Sequence, residues 1–350
     1  MFMLEQKTLS YGQALHEGTR QEMARDDSVF VYGLGVDDQI GQYGTTLDLH
    51  KEFGPNRCFD TPISEDATTG IGIGAALAGM RPIAVHQRMD FLMLCMNQLV
   101  NMASKYHYVS EGQLKVPMVL RASIGRSWGQ GPQHSQALYS FFMNIPGLKV
   151  MAPTTPYDAK GGIIAAIRDD NPVIFIEHRM LFANEGLVPI APYEIEFGKA
   201  RILCEGSDIT LVGISYTVID CLRASKMLQT IGINAEVIDL LSLSPLDIDT
   251  LSKSAKKTGR IIIVDNGWQA CGAGAEIIAQ LLEAGVLSNV KAKRMGYAPT
   301  TCPTTRVLED AFYPSPVDIA QAANKMFDGD IKWIPKEIER KEIEEFKGPF

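Results

Sequence analysis

Asp60-Thr61-Pro62-Ile63-Ser64-Glu65 opens the stretch that decides the fold. It runs on through Gly70-Ile71-Gly72-Ile73-Gly74-Ala75-Ala76-Leu77-Ala78-Gly79 and Arg81-Pro82-Ile83-Ala84-Val85-His86-Gln87, and closes on Asp90-Phe91. The order is a carboxylate at the mouth of a helix, a helix of small residues, a buried strand, then a polar-aromatic turn. Ser64 is a favoured N-cap, and a first-turn acid is favoured by the helix dipole, so Glu65 on its own reads as an ordinary helix start. Few polar side chains follow Thr69, which predicts a buried helix, and a buried carboxylate needs a partner. A heterocycle held between one acid and one aromatic face would be such a partner.

The three glycines do not make a dinucleotide fingerprint. That fingerprint needs glycines directly after a strand and opening a helix, whereas these lie inside the helical pattern. Each costs about 1 kcal/mol relative to alanine in a helix interior. The expected return is close approach to a neighbouring helix, across a subunit interface.

Outward from this stretch, strand-like runs alternate with helix-length segments, the pattern of a parallel α/β sheet. Strands are predicted at Val29–Gly33, Ile83–Gln87, Pro117–Arg121, Leu148–Ala152 and Val173–Glu177, with helices at Leu9–Ala24, Phe91–Tyr106 and Tyr157–Arg168. A Pro- and Gly-rich break at 184–192 separates a second cycle. Its predicted strands are Ile209–Gly213, Ala235–Asp239, Arg260–Val264 and Val290–Arg294, and its helices include Tyr216–Thr230 and Pro316–Phe327. The reading is two parallel-sheet α/β domains, 1–190 and 200–328, and a charged tail, 329–350, that forms a solvated helix or arm.

Composition narrows the function. The 350 residues are 46% hydrophobic and carry a formal charge of −8 without a basic cluster, which excludes a nucleic-acid footprint. No apolar run reaches the roughly 18 residues that span a bilayer. Six scattered cysteines without a C-x-x-C pair suit reduced thiols and a cytoplasmic location.

The loop Arg126-Ser127-Trp128-Gly129-Gln130-Gly131-Pro132-Gln133-His134-Ser135-Gln136 follows a buried strand, where functional residues concentrate. His134 is its one titratable ring, either a proton carrier or a cap for a helix at Ser135–Met143. His86, ending its strand, is a second candidate. His16, His50 and His107 read as surface or interface residues, and His178 follows the strand before it without an assigned role. There is no G-x-x-x-x-G-K-[ST] loop and no Gly-Asp-Gly turn to hold a metal against a diphosphate. The ligand therefore lacks a phosphate, or another chain supplies the clamp.

Phe59-Asp60-Thr61-Pro62-Ile63-Ser64-Glu65, Ala75-Ala76-Leu77-Ala78-Gly79-Met80-Arg81-Pro82-Ile83, Gln133-His134-Ser135-Gln136, Pro146-Gly147-Leu148-Lys149-Val150, Ala165-Ala166-Ile167-Arg168-Asp169-Asp170-Asn171-Pro172-Val173 and Gly272-Ala273-Gly274-Ala275-Glu276-Ile277 carry a resemblance over nearly the whole chain. The sequence resembles the beta subunits of the thiamine-diphosphate-dependent 2-oxoacid dehydrogenases, of pyruvate or branched-chain type, in the transketolase-like superfamily. The resemblance implies a pyrimidine-binding domain followed by a transketolase C-terminal-like domain. It implies that Glu65 hydrogen-bonds the aminopyrimidine ring, that Phe91 packs on it, and that His134 serves the bound intermediate and the acyl acceptor. His86 joins these as a cofactor-binding candidate. Met118, Ala166, Ile167, Asp169 and Asn171 match a loop that holds potassium through carbonyl oxygens in some members. Magnesium and the diphosphate belong to the alpha subunit of an α2β2 tetramer, and a lipoyl acyltransferase receives the acyl group.

Three departures stand out. Leu34 falls where the family keeps an acid, His86 and Arg88 fall in a strand usually ending Glu-Ile-Gln-Phe or Glu-Phe-Met, and Asp239-Leu240-Leu241 replaces Asp-Leu-Arg. Leu34 makes a drier, less negative pocket. Arg88, if it faces the same pocket, suits a substrate with an extra anionic or polar group. These departures also keep open a transketolase-like carboligase or a non-oxidative 2-oxoacid decarboxylase of a specialised pathway, and, more remotely, a non-catalytic partner chain.

Overall fold

The computed structural model describes residues 5–126, 129–327 and 333–336. Its strands, in chain order, are β1 (Gln6–Ser10), β2 (Val29–Gly33), β3 (Cys58–Asp60), β4 (Arg81–His86), β5 (Val119–Ile124), β6 (Lys149–Met151), β7 (Val173–His178), β8 (Glu185–Pro189), β9 (Arg201–Cys204), β10 (Ile209–Gly213), β11 (Ala235–Asp239), β12 (Ser242–Ser244), β13 (Arg260–Trp268) and β14 (Lys291–Tyr297).

Two α/β sheets result. The first has the order β12-β6-β7-β5-β4-β2-β3, the second β14-β13-β10-β11-β9. β2, β4, β5, β6 and β7 are apolar runs of Val, Ile, Leu, Phe and Ala buried almost end to end, as strands covered on both faces require. Their pairings are parallel, in register from Val29↔Arg81 to Val119↔Val173. The edges depart from the parallel expectation. β9 runs antiparallel to β11, and β12, from the second half of the chain, runs antiparallel to β6. The core is shared accordingly: Val150 and Ile174 belong to one buried cluster with Ile238, Leu240, Leu243 and Ile261.

The helix Tyr11–Arg25 begins with a reciprocal capping box between Ser10 and Gln13. Thr155 caps the helix Pro156–Arg168, with proline in its first turn. These two helices pack on one another over the first sheet. Two expected features differ. The break at 184–192 contains β8, which pairs antiparallel with β1. The expected helix Phe91–Tyr106 is instead four short pieces: α-helical Met89–Leu92, 3₁₀ Met93–Cys95, π-helical Gln98–Ala103 and α-helical Tyr106–Val109. Its apolar periodicity is real, but the hydrogen-bond ladder changes pitch along it, which periodicity does not reveal. Of the charged tail, 329–332 and 337–350 lie outside the described residues.

All the parallel strands of the first sheet end on one side. Leu34, Asp60, His86, Arg126 and Arg179 therefore collect along a single edge, beyond the strands' carboxyl ends, where open α/β sheets bind ligands.

Candidate active site

Glu65 is the first residue of the helix Glu65–Leu77, as its spacing predicted. Ser64 precedes it in an extended, non-helical conformation, but its hydroxyl makes no capping bond. The helix is not buried as expected. Gly74, Ala78 and Gly79 are exposed, Ile71 keeps 69% of its surface, and Ile63 just before it 78%. Only Thr69, Gly72, Ile73 and Ala76 are enclosed. The small residues read as core in the sequence because an apolar run looks the same against the protein's own interior or against another chain.

Gly72 shows what one glycine achieves. A Cβ there would lie 2.0 Å from the Tyr32 hydroxyl and 2.8 Å from Met118 Cε. The close neighbour at Gly72 is thus a strand tyrosine, whereas at Gly70 it is Gln98 of the helical segment Gln98–Ala103, 3.3 Å from a Cβ there. The Tyr32 hydroxyl donates to the Thr68 carbonyl at 3.1 Å, and its ring packs with Phe30 and Phe59.

Tyr32 also walls a small cavity of about 20 Å³, lined by Gly33, Leu34, Thr61, Pro62, Ser64, Glu65, Thr68, Ala84, Val85 and His86. Glu65, Leu34 and His86 therefore share one space. Burial holds the His86 imidazole down to about pKa 4, so it is neutral near pH 7. The cavity thus sets one carboxylate beside an apolar and neutral wall. Among the described residues, no group of three or more His, Cys, Asp or Glu could hold a metal ion. Arg88 does not line this cavity, contrary to expectation. Its Nη1 donates to the Tyr43 hydroxyl at 3.0 Å and the Gln87 carbonyl at 3.1 Å.

Phe91 and His134 meet edge to face, with ring centroids 5.3 Å apart and an interplanar angle of 88°. His134 caps no long helix: it ends the 3₁₀ turn Gly131–Gln133, and α-helix resumes only at Ser140–Met143. Two bonds fix its loop. Arg179 Nη2 donates to the His134 carbonyl at 2.5 Å, and Arg179 Nη1 to Gln130 Oε1 at 2.6 Å. Asp90 Oδ1 accepts from the Gln136 side-chain amide at 2.9 Å, tying the same loop to the turn that carries Phe91.

Arg179 is wholly buried and went unassigned in the sequence. Burial first, then the Arg88 charge, lowers its pKa to about 10. The signal was available: a cation directly after an apolar strand, at the ligand-binding edge. Neighbouring His178 stacks on Tyr216 at 4.9 Å, and burial, then Arg179 and Arg126, hold its pKa well below the usual value.

Met118, Ala166, Ile167, Asp169 and Asn171 gather where the helix Pro156–Arg168 turns into β7. The carbonyls of Ile167 and Asp169 accept from Arg81 Nη1 at 2.9 and 3.0 Å, and the Met118 carbonyl accepts from the Val173 N–H at 2.9 Å. The Asp169 carboxylate accepts from Asn171 and pairs with Lys149. These are the oxygen donors potassium takes, but a potassium ion would share two of them with a guanidinium.

Fold and half-site together define a pyrimidine-binding chain of the transketolase type. Residues 7–184 match the transketolase pyrimidine binding domain, and 198–319 the transketolase C-terminal domain. A split-gene transketolase, in an inactive beta4 tetramer, is similar in fold, with a TM-score of 0.74 at 20% identity over 91% of this chain and 98% of that one. The acetoin:2,6-dichlorophenolindophenol oxidoreductase subunit beta of Cupriavidus necator is 41% identical over 92% of this chain and 98% of its own length. The pyruvate dehydrogenase E1 component subunit beta of Rickettsia bellii is 41% identical over 90% and 97%. The chain belongs to the family of thiamine-diphosphate-dependent 2-oxoacid dehydrogenase beta subunits, within the transketolase-like superfamily.

Proposed function

We propose that this chain forms the pyrimidine half of a thiamine diphosphate site shared with an alpha subunit in an α2β2 tetramer, and that the assembled enzyme oxidatively decarboxylates a 2-oxo acid and passes the acyl group to a lipoyl domain of an acyltransferase. The observation that carries this is Glu65 at the head of its helix, sharing a cavity with Leu34 and neutral His86. Thiamine diphosphate, when bound, supplies the carbanion chemistry that no amino acid side chain provides. Glu65 would accept a hydrogen bond from the aminopyrimidine ring and favour its imino form. Phe91 would pack on the ring, and His86 would present a neutral surface beside it. His134, held through Arg179 and Asp90, would hold or move a proton at the substrate oxygen.

Magnesium and the diphosphate fall to the alpha subunit in this reading. Potassium at the turn of Met118, Ala166, Ile167, Asp169 and Asn171 would act beside Arg81. The location is the cytoplasm, consistent with six free cysteines. Unpacked apolar side chains around the Glu65 helix suit burial against the alpha subunit.

The test is Glu65→Gln in the assembled enzyme, read by reduction of an artificial oxidant. The expected loss is about 100- to 10,000-fold, the usual worth of a positioned acid or base. Unchanged turnover would refute the assignment.

A further inference from the structure

The loop that carries His134 turns on two glycines of positive φ, Gly129 at 74° and Gly131 at 68°. Such glycines leave a backbone free to take other conformations, so a histidine that must stay in place needs the loop held from outside. Arg179 and Asp90 of the first domain hold part of it, through Gln130, the His134 carbonyl and Gln136. The second domain reaches the same loop. A Cβ at Gly129 would lie 2.5 Å from the Thr304 carbonyl oxygen, and a Cβ at Gly131 would lie 2.4 Å from Thr304 Cγ2. The glycines therefore let the loop backbone run directly against Thr304. Where the chain enters the loop after β5, the Arg126 guanidinium carbon stands 4.8 Å from the centre of the Tyr313 ring, a cation–π contact.

Thr304 and Tyr313 belong to a segment with a firm base of its own. The Ala298 N–H donates to the Phe312 carbonyl at 3.0 Å and ties the two ends together, the compact closed form common among functional surface loops. Trp268 Nε1, from β13, donates to the Thr300 carbonyl at 2.8 Å. The rings of Tyr297, Phe312 and Tyr313 meet pairwise, with centroids 4.9, 4.9 and 4.8 Å apart. Thr304 itself is exposed, so its contact with the two glycines is not a by-product of core packing.

We propose that residues 298–313 of the second domain brace the His134 loop, with Thr304 and Tyr313 as positioning residues. Neither touches the reacting atoms. Thr304 fixes the path of the backbone at Gly129 and Gly131, and Tyr313 fixes the entry at Arg126. Together they keep the His134 ring against Phe91. The proposal rests on the role given to His134 above, and it assigns the second domain a part in the proton-handling step.

The experiment uses the assembled alpha–beta enzyme with thiamine diphosphate and magnesium. Thr304→Ala and Tyr313→Leu remove the two contacts, whereas Thr304→Val and Tyr313→Phe keep a methyl and a ring face in place. Amide hydrogen exchange of peptides covering 129–138 should quicken about tenfold in the first pair and little in the second. Exchange equal in all the proteins overturns the brace. Turnover of the 2-oxo acid used fastest is then measured by dye reduction. A misplaced catalytic group loses rate, so the first pair should lose about 10- to 100-fold in kcat with KM nearly unchanged, and the second pair should retain most of it. In a His134→Ala background, Thr304→Ala should lower kcat no further, because the brace acts through that ring. A full additional loss there overturns the proposal. If no 2-oxo acid is turned over, or His134→Ala leaves kcat intact, the function proposed above fails instead. The brace is then judged by exchange alone: quickening confined to Thr304→Ala and Tyr313→Leu supports it, and uniform exchange overturns it.

Discussion

Replacing Gly72 by alanine tests whether the helix that carries Glu65 is held in place by its contact with Tyr32. Alanine removes a helix-interior glycine, which by itself stabilises by about 1 kcal/mol. The added methyl, however, would sit 2.0 Å from the Tyr32 hydroxyl, so one of them must move by roughly 1.5 Å to reach ordinary contact. Overpacking of this kind costs about 1–3 kcal/mol. Moving the tyrosine also breaks its bond to the Thr68 carbonyl, worth about 1 kcal/mol. The net expectation is a loss of about 1–3 kcal/mol. Tyr32→Phe supplies the control. It removes the offending oxygen and leaves the ring carbon 3.0 Å from the new methyl. By itself it costs about 1 kcal/mol, yet in the Gly72→Ala background it should recover stability, a favourable coupling of about 1–2 kcal/mol. Urea titrations of the four proteins, compared at equal m-value, give the cycle. If Gly72→Ala is as stable as the parent, or the two changes are additive, the helix is free to shift and the contact does not hold it.

His86 should make stability depend on pH. Its folded pKa, about 4, lies below the unfolded value near 6.5, so its contribution is intact above pH 6.5 and is lost as pH falls toward 4. About 2 kcal/mol should be gone at pH 5. His86→Phe should remove that part of the loss between urea titrations at pH 7 and 5, while His178 remains in both proteins; an identical loss in the variant refutes the assignment. Arg121→Met or Glu177→Met should each cost about 3–5 kcal/mol, and the double variant less than their sum, because a lone buried charge is worse than none. Additive losses in thermal denaturation would contradict this. Arg81→Met should cost about 2–3 kcal/mol through the carbonyls of Ile167 and Asp169. Potassium chloride should restore part of that loss and tetramethylammonium chloride should not; equal effects of the two salts would exclude a cation site at that turn.

The parallel strands were legible because two-sided burial writes itself as unbroken apolar runs, as in Val29–Gly33 and Ile209–Gly213. β3, β9 and β12 escaped notice: three or four residues with mixed burial carry too little pattern. Glu65 could be placed at the head of its helix because a serine, an acid and a run of small residues fix the start. The burial of that helix was misjudged, since sequence shows that a face is apolar but not what covers it. Leu34 and His86, both singled out in the sequence, line one cavity with Glu65, whereas Arg88 does not line it. Arg179 carried a local signal, a cation directly after an apolar strand, but its weight comes from β4, β5 and β7 ending side by side, a relation between residues some 90 positions apart.

β12 has a consequence for how the chain is made. It closes the edge of β6, yet it is synthesised some 90 residues later, after most of the first sheet. At about 5–20 residues per second the ribosome needs roughly 5–20 s to deliver it. Throughout that interval β6 presents an unpaired edge on a nascent chain, the template on which strands of neighbouring polypeptides aggregate. Codon usage or chaperone access across residues 152–244 should therefore govern the yield of native protein more strongly than the same changes made after β12.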